Sequence, residues 1–152
     1  NEAYTAFNNS VKQYELVNNP AESYVIKCLE KVEHVIGISA VTEDNDPNGH
    51  LGKAGGYTAT VYFTCDWVNQ ANVIGNTIID KGTDGGGAIE VYANVEDAES
   101  RDSYLAGFDG GVLASGSHTV VGTCVVRTSD ELAASKQKEL EAAVIGALTK
   151  LE

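Results

Sequence analysis

Residues Thr58 to Cys65 alternate without a break. Ala59, Val61, Phe63 and Cys65 occupy one set of positions, and Thr58, Thr60, Tyr62 and Thr64 the other. A period of two in β-branched and aromatic residues specifies a strand and is incompatible with a helix. Ala88 to Ala93 repeats the pattern, with Ile89, Val91 and Ala93 inward and Glu90 and Tyr92 outward. Val35 to Thr42 reads as a further strand with Ile36, Ile38 and Ala40 inward. Ser117 to Arg127 reads as the longest, with Val120, Gly122, Cys124 and Val126 on one face. Half-polar strands imply one wet face. The pattern therefore predicts a twisted, mostly antiparallel sheet of about four strands, with helices packed on the other face.

The intervening segments supply those helices. Tyr4, Phe7, Val11 and Tyr14 recur at three- and four-residue spacing within residues 2–17, an amphipathic helix. Asn18-Asn19-Pro20 then interrupts the chain. Asn19 as N-cap, Pro20 at the first helical position and Glu22 at the third predict a second helix start. That helix presents Ala21, Tyr24, Val25, Cys28, Leu29 and Val32 on one side. Asn94 caps a third helix, along which Ala98, Arg101, Leu105 and Phe108 align. Thr128-Ser129-Asp130-Glu131 has the form of a capping box before a last helix that buries Leu140, Ala143, Val144, Ala147, Leu148 and Leu151. Trp67 to Ile79 has no clear period and reads as holding a short edge strand at Thr77-Ile78-Ile79. The expected order is ααβββαβα, an α+β class. Residues 1–18 form a helix or connector, and 19–152 a single domain.

At 152 residues the chain can bury a core without staples. Its net charge of -12 repels phosphate backbones and anionic lipid, which argues against nucleic-acid partners and membrane surfaces. No apolar run approaches the roughly 20 residues of a membrane span, so no direct membrane insertion is expected of this fragment. A chain that starts at Asn1 and lacks methionine reads as processed or excised. Cys28, Cys65 and Cys124 are odd in number and form no CxxC pair, so neither a disulfide framework nor a zinc site is expected. Each lies on an apolar face, as a buried thiol would.

Three loops rich in glycine and acid punctuate the strands: Asp44-Asn45-Asp46-Pro47-Asn48-Gly49, Gly82-Thr83-Asp84-Gly85-Gly86-Gly87, and Asp109-Gly110-Gly111. Such loops are shaped surfaces, where binding usually sits. Asp44, Asp46 and Asn48 match the first half of a calcium loop, but position twelve is Gly55 and not a bidentate Glu. Asx-turn chemistry accounts for the same residues, and no metal or cofactor is expected. Gly82 to Gly87 precedes a strand instead of opening a helix, lacks a Lys-Ser/Thr pair and carries Asp84, so it is no phosphate cradle. It reads as a tight connection with close backbone packing. Ser115-Gly116-Ser117-His118 is not a nucleophile elbow.

Together these stretches resemble a known family. Glu43 to Gly49 with Leu51-Gly52-Lys53 and Gly55-Gly56-Tyr57 is similar to a domain of Gram-positive surface proteins and lipoproteins. So are Lys81-Gly82-Thr83-Asp84, Gly86-Gly87, Ile89-Glu90-Val91-Tyr92, Asp97-Ala98, Arg101, Tyr104-Leu105 and Phe108-Asp109-Gly110. Ser115-Gly116-Ser117-His118, Gly122-Thr123 and Arg127-Thr128-Ser129 complete the pattern, which covers about residues 24–148. The resemblance implies an extracellular setting on the bacterial cell surface and brings no catalytic residue, activity or cofactor. Host proteins, immunoglobulin among them, are ligands suggested by analogy.

The expected function is a non-enzymatic extracellular binding module for a protein ligand. Its candidate ligand-binding residues are Tyr62, Trp67, Asp84, Tyr92 and His118, with the three aromatics as anchors. Two alternatives stand beside it: a hydrolase-type enzyme using His118 and Asp109, and a structural spacer.

Overall fold

Five strands form one open sheet in the computed structural model, which describes residues 1–152. They are β1 (Val35–Ala40), β2 (Ala59–Cys65), β3 (Gly86–Val91), β4 (His118–Val121) and β5 (Cys124–Thr128). Their spatial order is β1-β2-β3-β5-β4, with every neighbouring pair antiparallel. The helices are α1 (Glu2–Leu16), α2 (Glu22–Glu30), α3 (Ile78–Lys81), α4 (Val95–Ala106) and α5 (Ala134–Leu148). The α+β class holds, and the strand count and element order differ from expectation. No helix is long and apolar enough to cross a membrane.

Each difference has a local cause. Gly122 adopts φ +59°, breaking the expected long strand into a β4–β5 hairpin in which Val121 faces Cys124 across the turn. Val120 consequently packs on the opposite side of the sheet from Cys124 and Val126. Thr77-Ile78-Ile79 is no strand: Thr77 and Asp80 exchange hydrogen bonds in a capping box that starts α3. A register shift between Val35 and Gly37 turns Ile36 outward, leaving Val35, Ile38 and Ala40 against the core. Asn19 does not cap α2; it sits at φ +47°, and the helix starts two residues later behind Ala21. The expected capping box of Thr128 and Glu131 does not form: the Thr128 hydroxyl shares a hydrogen bond with Ser117, and the Ser129 hydroxyl serves a neighbouring loop. It donates to the Asp84 carbonyl at 2.7 Å and accepts from the Glu131 amide, while α5 starts at Ala134.

Both sheet faces are covered, which corrects the expectation of one wet face. On the first, Val61, Phe63, Cys65, Ile89, Val91, Cys124 and Val126 meet Val25 and Leu29 of α2 and Leu140, Val144 and Leu148 of α5. On the second, Tyr62, Ala88, Tyr92 and Val125 are packed under Tyr57, Ala98 and Leu105. The polar positions of the alternation therefore face inward here. Thr60 and Glu90 are fully buried, and Arg127 nearly so. α1 touches the body mainly at its C-terminal end, where the Val17 carbonyl accepts from the Thr123 amide. Its Tyr4, Phe7, Val11 and Tyr14 are exposed.

All three cysteines are buried thiols within the first core. Burial pushes Cys65 up and Cys124 up to about 12. Thiolate is the reactive form, which slows alkylation at Cys65 and Cys124, and burial shields all three from reagent in the native chain. Iodoacetamide under native conditions is expected to leave the mass unchanged over a time that modifies the urea-unfolded chain completely. Rapid native labelling, or a mass lower by two hydrogens, would contradict this placement.

Candidate binding site

A cleft of about 660 Å³ opens over the second face of the sheet. Ligand pockets of roughly 300–1,000 Å³ are the usual range. Its floor is built from the sheet's buried polar residues. Glu90 on β3 has a side chain only 1% exposed and lies between two cations. Arg101 of α4 donates to it through Nε at 2.8 Å, and Arg127 of β5 through Nη1 at 3.1 Å. The Tyr92 hydroxyl donates to the same carboxylate at 2.6 Å. The Glu90 carboxylate is itself satisfied by three charged or phenolic donors, which fixes its place in the floor.

Two loops and one helix raise the walls. Pro47, Asn48 and His50 stand on one side, and Tyr104, Phe108, Leu113 and Ser115 on the other. The first wall is held by Asp46. Its carboxylate accepts from the amides of Asn48, His50 and Leu51 at 2.8–3.0 Å and from the Tyr57 hydroxyl. Burial opposes ionisation, but the bonds from Tyr57, Leu51, Asn48 and His50 outweigh it and hold the Asp46 carboxyl below its ordinary value. Asp46 thus folds its loop with the lone pairs that a cation would require, which is Asx-turn chemistry.

The opposite wall is pinned at both ends. Arg127 Nη2 donates to Ser115 Oγ at 2.9 Å from below. His118 on β4 meets Asp102 of α4 through Nδ1 at 2.6 Å and Asp109 through Nε2 at 3.0 Å. Between Asp109 and Ser115, Val112 is fully exposed and Leu113 is 70% exposed. Tyr104 adds an exposed ring that stacks edge-on against Phe108 and carries Arg101 over its face. The cleft therefore has a fixed charged floor, an Asx-turn loop on one side and exposed apolar side chains on the other.

Desolvation disfavours charge on His118, yet the bonds to Asp102 and Asp109 prevail and raise its pKa above the ordinary value. A raised folded pKa means that the imidazolium stabilises the fold fully below the unfolded value of about 6.5. That contribution is lost as pH rises through the folded value. His118→Gln should therefore lower the urea midpoint at pH 5.5 by more than at pH 8.5. A gap that is constant, or wider at pH 8.5, would show that the imidazolium does not fasten this wall.

The residues expected to bind ligand are not gathered in one place. Tyr62 and Tyr92 are buried, not outward, because α4 and the loops cover their face; Tyr92 reaches the cleft only as part of its floor. Trp67 is half-buried elsewhere, stacked on His34 with Lys136 Nζ 4.2 Å above its ring. Asp84 is exposed away from the cleft, its carbonyl held by Ser129. Within hydrogen-bond reach of Asp109, as a catalytic pair would require, His118 has both ring nitrogens on carboxylates. Ser117 hydrogen-bonds to Thr128 instead of to that ring. The residues that line the cleft include Arg101 of α4 and Phe108 just beyond it, which the sequence aligns along one side of the third helix and places within the resemblance. Leu113 sits in a stretch without period and nothing local singles it out, while Ser115 stands out in the sequence only as part of the Ser115-Gly116-Ser117-His118 run.

A second groove, of about 730 Å³, lies between α2 and α5. Its charged groups include the exposed Lys31–Glu152 pair, and exposed pairs fix little. Comparison with protein-family models, curated proteins and solved structures finds no match.

Proposed function

We propose that this chain is a non-enzymatic binding module of a bacterial cell-surface protein, and that it takes a protein ligand at the cleft over the second face of the sheet. The observation that carries this reading is the wall pinned at Asp109 and Ser115, which holds Val112 and Leu113 out in solvent. Exposed large apolar groups on an ordered surface offer interface area without the ordering cost of a flexible loop. Tyr104 and Phe108 extend that surface, and aromatic residues carry interface energy disproportionately. The envelope setting rests on the resemblance of the residue pattern to Gram-positive surface proteins, and a host protein is the ligand that setting suggests.

The test is capture. The immobilised chain should retain a saturable protein from host secretions or envelope extract. Tyr104→Ala combined with Leu113→Asp should abolish retention, with far-UV dichroism and the urea midpoint essentially unchanged. Undiminished retention by that variant would remove the cleft as the site, and no saturable protein from either source would remove the binding-module reading.

A further inference from the structure

The floor of the cleft has cationic capacity that the fold itself does not use. Arg101 and Arg127 face one buried carboxylate, Glu90, leaving one excess positive charge in a chain whose net charge is -12. Arg101 spends Nε and Nη2 on Glu90, while Arg127 spends Nη1 on Glu90 and Nη2 on Ser115. A guanidinium has more N–H donors than these bonds engage. Arg127 Nε is buried with no partner at all, on a side chain only 9% exposed. Buried donors without partners are rare.

We propose that this floor takes a carboxylate from an acidic side chain of the protein ligand, flanked by an apolar residue that rests on Tyr104 and Leu113. The inference depends on the cleft being the binding site. Charge narrows the class: the floor's one surplus positive charge is offset by the Asp97 carboxylate at the rim, so a monoanion is accommodated more readily than a dianion. A phosphate dianion would bring a second negative charge beside Asp97, a half-buried carboxylate in the first turn of α4 that accepts from the Asn94 cap at the rim. The geometry suits a carboxylate too, because a planar guanidinium fork presents paired donors to paired oxygens. The aromatic and aliphatic wall beside the arginines favours a peptide segment over a free ion.

Small probes separate the components. 3-Phenylpropionate presents a carboxylate next to an apolar ring, 3-phenylpropionamide is its neutral isostere, and phenyl phosphate is the dianion. Each is titrated into the isotopically labelled chain and followed through the backbone amides of the cleft and the Arg101 Nε–H signal. The carboxylate is expected to shift those signals with a dissociation constant on the order of millimolar. The amide should bind at least about five-fold more weakly, as loss of a charge-assisted bond requires. Equal binding of acid and amide would overturn the carboxylate assignment while leaving an apolar binding cleft. Tighter binding of phenyl phosphate would overturn the monoanion class. No shift with any probe would overturn the proposal, and protein capture lost on Tyr104→Ala with Leu113→Asp would still stand as evidence for the binding module.

Discussion

Glu90→Ala is expected to cost about 4 kcal/mol, in the range found when one partner of a buried ion pair is removed. Glu90 is 1% exposed, and the guanidinium groups of Arg101 and Arg127 that it neutralises are only about 10% exposed. Without the carboxylate, two cations remain in a poorly solvated site and the Tyr92 hydroxyl loses its acceptor. For a domain of this size the melting temperature should fall by roughly 8–16 °C. Replacing the whole set, with Glu90→Leu, Arg101→Met and Arg127→Met together, should recover much of the loss, because apolar groups of similar volume need no neutralising partner. Thermal and urea unfolding of the single and triple variants measure both effects. A single-variant loss below about 1 kcal/mol would mean that the two guanidinium groups do not depend on Glu90 for their neutralisation.

Gly87→Ala should be nearly as damaging, although it adds a single methyl group. A Cβ at Gly87 would lie 2.2 Å from the Arg127 carbonyl oxygen and 2.6 Å from Phe63 Cζ. Gly87 is paired to Phe63 on one side and Thr128 on the other, so the obstacle is the backbone of a neighbouring central strand. That backbone can yield only by spreading β3 from β5, and overpacking of this kind costs about 3 kcal/mol. Because Arg127 would move with its strand, probe binding in the cleft should fall as well. Gly146→Ala is the matched control. Nothing lies within 4 Å of the added carbon, and alanine outranks glycine inside a helix by roughly 0.8–1 kcal/mol. The two substitutions should therefore change stability in opposite directions in urea titrations, and a neutral Gly87→Ala would refute the close approach of β3 and β5.

Gly82 to Gly87 was legible in outline, since a glycine run before an alternating strand signals backbone approach and the structure supplies the approaching strand. The β2 and β3 patterns were legible for the same reason: alternation is local, and a strand's neighbours do not change its period. Gly122 was the misread signal. A glycine within a strand pattern often marks a break, and here it makes the hairpin that adds a fifth strand. Thr77 and Asp80 also held a legible cap, obscured by the β-branched residues between them.

The polar face was harder, because alternation distinguishes two faces without saying what lies beyond either. Thr60, Glu90 and Arg127 read as solvent-facing in a single strand, and only the return of α4 and two loops across the sheet buries them. The expected anchors Tyr62 and Tyr92 failed for that reason. Leu113 could not be singled out at all, nor Ser115 as part of a wall, since their positions follow from Arg127 and His118, which meet the loop only in the folded chain.

Hydrogen–deuterium exchange of the chain, alone and with the protein it captures, tests the placement of the site most directly. Protection is predicted in two separated stretches, residues 46–56 and 104–116, which are the walls of the cleft. Protection confined to α1, where Tyr4, Phe7, Val11 and Tyr14 are exposed on the helix, would contradict the account and move the site to the N-terminal helix.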